Sequence, residues 1–183
     1  IMKLFKDKKV VIAGPCSFGT YEELDGITKK LKELNVDILR AGTFKGRTSP
    51  YAFQGLREEG VEILIDIGKK YNIPVYITEV MHKTLDYIDN YKLLEDEFDI
   101  KDIHVTTIKT SHDAPDSRGY IISSENKSIV YITDTGYINK KYFDILSNRD
   151  LYIMESNHDV EMLTNGKYPF SIRQRILSDK GHL

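Results

Sequence analysis

Lys9–Val10–Val11–Ile12–Ala13–Gly14–Pro15–Cys16–Ser17 is a short apolar run halted by glycine and proline. A run of that length bounded by such breakers predicts a buried strand that opens into a loop. The pattern then repeats along the chain. Tyr21–Leu34 places Leu24, Ile27, Leu31 and Leu34 at helical spacing, and Val36–Leu39 is a second apolar strand. Gln54–Tyr71 carries Leu56, Ile63, Leu64 and Ile67 on one helical face, and Asn72–Ile73–Pro74 stops it. Val75–Thr78 predicts a third strand and His82–Tyr91 a third helix. Strands too apolar to alternate, each followed by a helix, predict a parallel sheet covered by helices.

The texture changes near Tyr91. Phe98–Ile100 and Ile103–Ile108 have strand character. Gly119–Ser123 and Ser128–Thr133 predict a hairpin around Glu125–Asn126–Lys127. Lys140–Leu146 predicts a short helix, Leu151–Glu155 a buried strand, and Val160–Leu163 and Ser171–Leu177 further helical segments. Lys92–Asp99 carries the join, an acidic stretch without a glycine or proline linker. Two regions follow from this, 1–91 and 92–183.

Composition narrows the functional classes. The 183 residues carry a formal net charge of −2, so no non-specific electrostatic grip on nucleic acid is expected from charge alone. No apolar run approaches the roughly 18 residues of a membrane helix, and no signal-peptide pattern opens the chain. A single cysteine excludes an internal disulfide and suits a reducing, cytoplasmic setting.

Two constellations carry chemistry. The first follows the opening strands: Gly14–Pro15–Cys16–Ser17, then Arg40–Ala41–Gly42–Thr43–Phe44–Lys45–Gly46–Arg47–Thr48–Ser49–Pro50–Tyr51. In parallel α/β folds ligands sit beyond the carboxyl ends of the strands. Arg40 offers a planar fork to phosphate or carboxylate, and Lys45 a point charge that also polarises a carbonyl. Arg47, Thr48 and Ser49 suit a second phosphate. Cys16 has two readings, a thiolate metal ligand or a small core residue.

The second constellation lies at later strand ends: Ser111–His112–Asp113–Ala114, Thr133–Asp134–Thr135–Gly136, Glu155–Ser156–Asn157–His158–Asp159 and Asp179–Lys180–Gly181–His182. Histidine and carboxylate at several strand ends can converge on a metal. Read singly, each has a plainer account as a turn, cap or surface residue. His82 and His104 read as structural.

The first motifs, with Arg47–Thr48–Ser49–Pro50–Tyr51–Ala52–Phe53–Gln54–Gly55–Leu56 and Thr78–Glu79–Val80–Met81, resemble 3-deoxy-D-arabino-heptulosonate 7-phosphate (DAHP) synthase, in the branch related to 3-deoxy-D-manno-octulosonate 8-phosphate synthase. The resemblance runs from about Lys3 to Asn90. It implies a TIM barrel condensing phosphoenolpyruvate with erythrose 4-phosphate in the shikimate pathway. It also implies Cys16 as a divalent-metal ligand, Arg40 and Lys45 as catalytic phosphoenolpyruvate contacts, and Arg47, Thr48 and Ser49 as the aldose-phosphate loop. Gly46 stands where that family usually has proline, and Arg57 where it has glycine.

The second set, extended by Arg173–Gln174–Arg175–Ile176–Leu177–Ser178–Asp179 and Gly181–His182–Leu183, is similar to the metallo-β-lactamase fold, in a branch related to exonuclease-like and RNase Z-like phosphodiesterases. That resemblance implies His112, Asp134 and His182 as metal ligands. The His-x-His-x-Asp-His cluster of such hydrolases occurs nowhere in the 183 residues.

The expected fold class is therefore α/β: a partial (βα)3 TIM barrel followed by a metallo-β-lactamase αββα half. The expected function is that of a truncated chimera whose N-terminal half derives from a transferase condensing phosphoenolpyruvate with erythrose 4-phosphate and is incomplete for catalysis. The alternatives are a metal-dependent, phosphodiesterase- or nuclease-like hydrolase of the metallo-β-lactamase fold, or a non-catalytic phosphate- and metal-binding protein. The chain binds small phosphorylated metabolites and a divalent metal (Mn, Fe or Zn) at incomplete sites. It forms a homo-oligomer if its open strand edges pair. It meets nucleic acid only if the hydrolase half works.

Overall fold

The computed structural model describes residues 11–45, 51–83, 91–114 and 116–183. Of these, the residues up to Leu94 form one compact unit and Glu95–Leu183 another.

In the first unit, strand β1 (Ile12–Ala13) leads to helix α1 (Tyr21–Glu33), β2 (Ile38–Leu39), α2 (Arg57–Tyr71), β3 (Tyr76–Ile77), α3 (Glu79–His82) and β4 (Lys92–Leu93). Thr20 caps α1 by accepting from Glu23 N at 3.2 Å, and the Glu23 carboxylate accepts from Gly19 N at 2.8 Å. Glu22 and Glu23 in the first turn and Lys30 and Lys32 in the last complement the helix dipole. Asn72, with φ 50°, ends α2 in the left-handed conformation, and Ile73 N donates back to Gly68 O at 2.9 Å. That is the stop foreseen at Asn72–Pro74. Arg57 stands at φ 55°. A left-handed backbone disfavours a non-glycine residue by about 1–2 kcal/mol, which accounts for glycine being usual at this position in the family it resembles.

Leu24 and Ile67, both 0% exposed, share a core with Leu39, Val61, Ile65, Val75 and Ile77. Full burial of side chains of this size contributes about 1.5–3 kcal/mol each. Lys70 bonds Asp25 at 2.7 Å and Tyr21 Oη donates to Asp66 at 2.9 Å, tying α1 to α2.

The parallel pairing expected here is present, but not as one three-stranded sheet. β1 pairs with β2, and β3 with β4, in two separate parallel ladders of two residues per strand. No closed barrel forms among the described residues. Each strand is two residues long, well below the usual strand length. The helix α3 overlaps the expected third helix, His82–Tyr91, only at His82, and residues 84–90 lie outside the described residues.

The second unit follows the expected order closely. β5 (Glu97–Ile100), β6 (Ile103–Lys109), β7 (Arg118–Ser124) and β8 (Lys127–Ile132) form an antiparallel meander. A 3-10 turn (Lys140–Tyr142) and α4 (Phe143–Leu146) then cross over to β9 (Leu151–Met154). β9 pairs parallel to β8, which requires a crossover of this kind. The hairpin turn is Glu125–Asn126, with Ser124 opposite Lys127. Asp150 accepts from Lys127 Nζ at 2.7 Å and Ser128 N at 2.8 Å, and these bonds hold its carboxyl below the usual range. Ile108, Ile121, Val130, Ile132 and Leu146 make the core. Helices α5 (Val160–Asn165) and α6 (Phe170–Ile176) follow. No helix among the described residues is long and apolar enough to cross a membrane.

Candidate functional site

Strand direction gathers the second constellation. β6 and β8 both run antiparallel to β7, and β9 runs parallel to β8. The carboxyl ends of β6, β8 and β9 therefore share one end of the sheet. His112 lies just beyond β6, Asp134 just beyond β8, and Glu155 immediately after β9. The segment after α6 returns the chain to this end and delivers His182.

Thr135, 0% exposed, joins these loops. Its Oγ1 accepts from Ser111 N at 3.1 Å and donates to Tyr137 O at 2.7 Å, while its backbone N–H donates to Glu155 Oε1 at 2.6 Å. Gly136 lets the Ser178–Asp179 backbone pass against the same loop. A Cβ there would lie 2.3 Å from Asp179 O, so only glycine permits the approach.

The result is convergence. His112, Asp134 and His182 each offer one ligand atom, all within 4.8 Å of one another. The imidazole rings of His112 and His182 stand edge to face with centroids 5.0 Å apart. Two ligands of a tetrahedral ion at about 2.1 Å are about 3.4 Å apart, so shifts of up to about an ångström would bring all three onto one ion. Two imidazoles and a carboxylate suit a first-row divalent metal.

The supporting contacts fit the same use. His182 Nδ1 meets Glu155 Oε2 at 2.9 Å, and the Glu155 side chain is 4% exposed. A buried carboxylate bonded to one ring nitrogen fixes the tautomer and leaves Nε2 for the metal. His112 Nδ1 faces Gly181 O at 3.2 Å, and its Nε2 lies 3.1 Å from Asp113 Oδ1. Arg175 Nε in turn holds Asp113 Oδ2 at 3.0 Å. The orienting role of Glu155 and the joining role of Thr135 are not readable from sequence. The one local signal is their place within Glu155–Ser156–Asn157–His158 and Asp134–Thr135–Gly136. Among the described residues, His158 Nδ1 is buried with no hydrogen-bond partner.

The first constellation is assembled differently. Lys45 Nζ donates to Cys16 Sγ at 2.7 Å, and Arg40 Nη1 to Pro15 O at 3.4 Å. The Lys45 hydrogen bond and charge, with Arg40 adding to them, pull the exposed Cys16 thiol below its ordinary range. Among the described residues no group of three metal-ligating side chains includes Cys16. Among the described residues the groups beside Cys16 are the cations Lys45 and Arg40. Arg47, Thr48 and Ser49 lie outside the described residues. His82 packs on Tyr91 with ring centroids 5.7 Å apart, and His104 pairs with Asp99 at 2.9 Å. Both are structural placements.

Removing the Lys45 charge tests the thiol's environment. Lys45→Met is expected to slow alkylation of Cys16 by iodoacetamide at neutral pH by about three- to tenfold and to move its rate–pH profile upward. Mass spectrometry over a pH series reads both, and a profile matching the parent chain contradicts the pairing.

Residues 3–94 match the model of the DAHP synthetase I family. The chain belongs to that family. This DAHP synthetase-family chain is 48% identical over 71 residues to phospho-2-dehydro-3-deoxyheptonate aldolase of Thermotoga maritima, a match covering 39% of the chain and 21% of that protein. The crystal structure of the Thermotoga aldolase aligns with a TM-score of 0.35 at 45% identity, over 38% of this chain and 20% of that one. The family chain is also 36% identical over 125 residues to exodeoxyribonuclease YycJ of Bacillus anthracis, covering 64% of the chain and 47% of that protein. A diphosphatase structure of the PhnP family aligns with a TM-score of 0.43 at 15% identity, over 77% of this chain and 54% of that one. The chain thus spans about half the length of the exodeoxyribonuclease it matches. The two resemblances read from the motifs hold: a DAHP synthase-like N-terminal region is joined to a region like the metallo-β-lactamase-fold nucleases, so the chain is chimeric.

Proposed function

We propose that this chimera is a metal- and phosphate-binding chain whose working centre is a one-ion site at His112, Asp134 and His182. The observation that carries this reading is the convergence of three ligand atoms within 4.8 Å from loops distant in sequence. Three protein ligands leave coordination positions for water and a phosphate oxygen, the open arrangement of catalytic rather than structural sites. A bound divalent ion would supply Lewis acidity to a phosphoryl oxygen. The chain's own residues do the positioning: Glu155 orients His182, and Arg175 anchors Asp113 beside His112.

The synthase-derived region, read as a piece of a TIM barrel with a boundary near residue 91, contributes an anion site at Arg40 and Lys45. Phosphoenolpyruvate is the ligand its family resemblance suggests. Among the described residues Cys16 belongs to no cluster of metal-ligating side chains, which supports binding there rather than condensation. A one-ion centre likewise does not reproduce the two-ion clamp used for phosphodiester cleavage. Neither parental reaction is therefore completed by these residues.

Metal stoichiometry tests the reading. Isothermal titration of the full chain with Zn²⁺ or Mn²⁺ is expected to give a single site. Incubation with phosphoenolpyruvate and erythrose 4-phosphate, or with a phosphodiester, is expected to give no metal-dependent turnover. Two ions per chain, or turnover of either substrate, would overturn it.

A further inference from the structure

His112 has an oxygen at each ring nitrogen. Gly181 O faces Nδ1 at 3.2 Å, and Asp113 Oδ1 lies 3.1 Å from Nε2. A backbone carbonyl on one nitrogen is the usual support of a metal-ligating imidazole, so Nε2 is the atom left for an ion. Asp113 therefore stands beside the donor atom itself. Two ligands of one tetrahedral ion are about 3.4 Å apart, so Oδ1 already keeps a ligand's distance from Nε2. Yet among the described residues Asp113 is not in the group that converges, which is His112, Asp134 and His182.

Arg175 accounts for the difference. Its Nε donates to Asp113 Oδ2 at 3.0 Å, and its Nη2 donates to the same oxygen. The two side chains are 29% and 31% exposed, so water screens the pair only in part. The arginine is itself fixed in place. His182 N donates to Ile176 O at 3.1 Å, and a Cβ on Gly181 would lie 2.3 Å from Arg175 O. The end of α6 thus delivers His182 to the triad and holds Asp113 off it. We propose that Arg175 sets the coordination number of the metal centre. It withholds Asp113 as a fourth protein ligand and keeps a position open for water or a phosphoryl oxygen. The proposal rests on the triad reading and adds to it the residue that keeps the site at three protein ligands, the catalytic kind, rather than four, the structural kind. Asp113 adjoins His112 in the chain, so a released carboxylate has a short way to travel.

The test is titration of the full chain with Co²⁺, read by visible absorption, which is stronger for four ligands than for five or six. Arg175→Met is expected to bind Co²⁺ about tenfold or more tightly, on the scale by which groups beyond the ligands change metal affinity. Its absorption should rise as Asp113 closes the site. Adding Asp113→Ala should return both affinity and spectrum to the parent's. That reversal separates a withheld ligand from plain removal of a positive charge, which would tighten binding with or without Asp113 and leave the spectrum unchanged. Thermal melting of the metal-free chains checks the fold. Where Arg175→Met does not fold, Arg175→Lys carries the same spectral prediction, because it keeps the charge but not the two-point hold. Affinity and spectrum equal to the parent's on loss of Arg175 would overturn the proposal and leave the triad standing. So would a gain that survives Asp113→Ala, or weaker binding on loss of Arg175, which makes Asp113 a support of His112. Cobalt binding by neither parent nor variant would sink both readings.

Discussion

Replacing His182 with asparagine is expected to lower divalent-metal affinity by more than about a hundredfold. The substitution removes one of three ligands, and loss of an outer-shell partner alone typically lowers metal affinity by about 10–100-fold. Glu155→Gln provides the graded comparison. Its amide no longer stabilises an N–H donated by His182 Nδ1, a bond of 2.9 Å to a side chain with 4% exposure. A loss within that outer-shell range is expected there, and a larger one for His182→Asn. Cobalt substitution gives a readout separate from activity, because the visible spectrum reports ligand number and geometry. Equal spectra and affinities for parent, Glu155→Gln and His182→Asn chains would show that the triad holds no ion. Because Glu155 also accepts from Thr135 N at 2.6 Å, thermal melting of the metal-free Glu155→Gln chain distinguishes loss of orientation from loss of fold.

Gly14→Ala is expected to destabilise the first unit by about 3 kcal/mol or more. Gly14 has φ +150°, and a Cβ there would lie 1.9 Å from Arg40 O. Both the backbone conformation and the close approach exclude a side chain, and each such effect separately costs about 1–3 kcal/mol. For a unit of this size the melting midpoint should fall by about 10–20 °C. The same close approach sets the anion site, because Arg40 N donates to Ala13 O at 3.0 Å and carries its guanidinium to the Cys16 loop. Hydrogen exchange at the Arg40 amide should accelerate in the variant. An unchanged midpoint with unchanged exchange at Arg40 would refute the account.

What sequence disclosed and what it withheld divide along physical lines. Helices α1 and α2 were legible because their apolar spacing is local, as is the stop of α2 at Asn72 before Pro74; the Thr20 cap of α1 was seen only in the structure. The meander was legible because alternation and the Glu125–Asn126 turn set its register. Strand β4 was not, since two residues, Lys92 and Leu93, carry no period, and they sit in a stretch that reads as a join. One continuous parallel sheet was expected from apolar strands, yet strand number and pairing depend on long-range partners that local pattern does not encode. His112, Asp134 and His182 were singled out by motif, and the structure draws them together. Glu155, Thr135 and Gly136 act through contacts across the chain, so their roles appear only in three dimensions.

His112 reaches across to Gly181, sixty-nine positions further along the chain. An ion held between the two histidines would act as a clasp on that long loop, and the entropy of closing such a loop grows only slowly with its length. The tail from Phe170 onward would then owe its order to the ion as much as to packing, since Phe170 is 66% exposed and α6 has no buried residue. Chelation would let this end fray first while the five-stranded sheet stays intact.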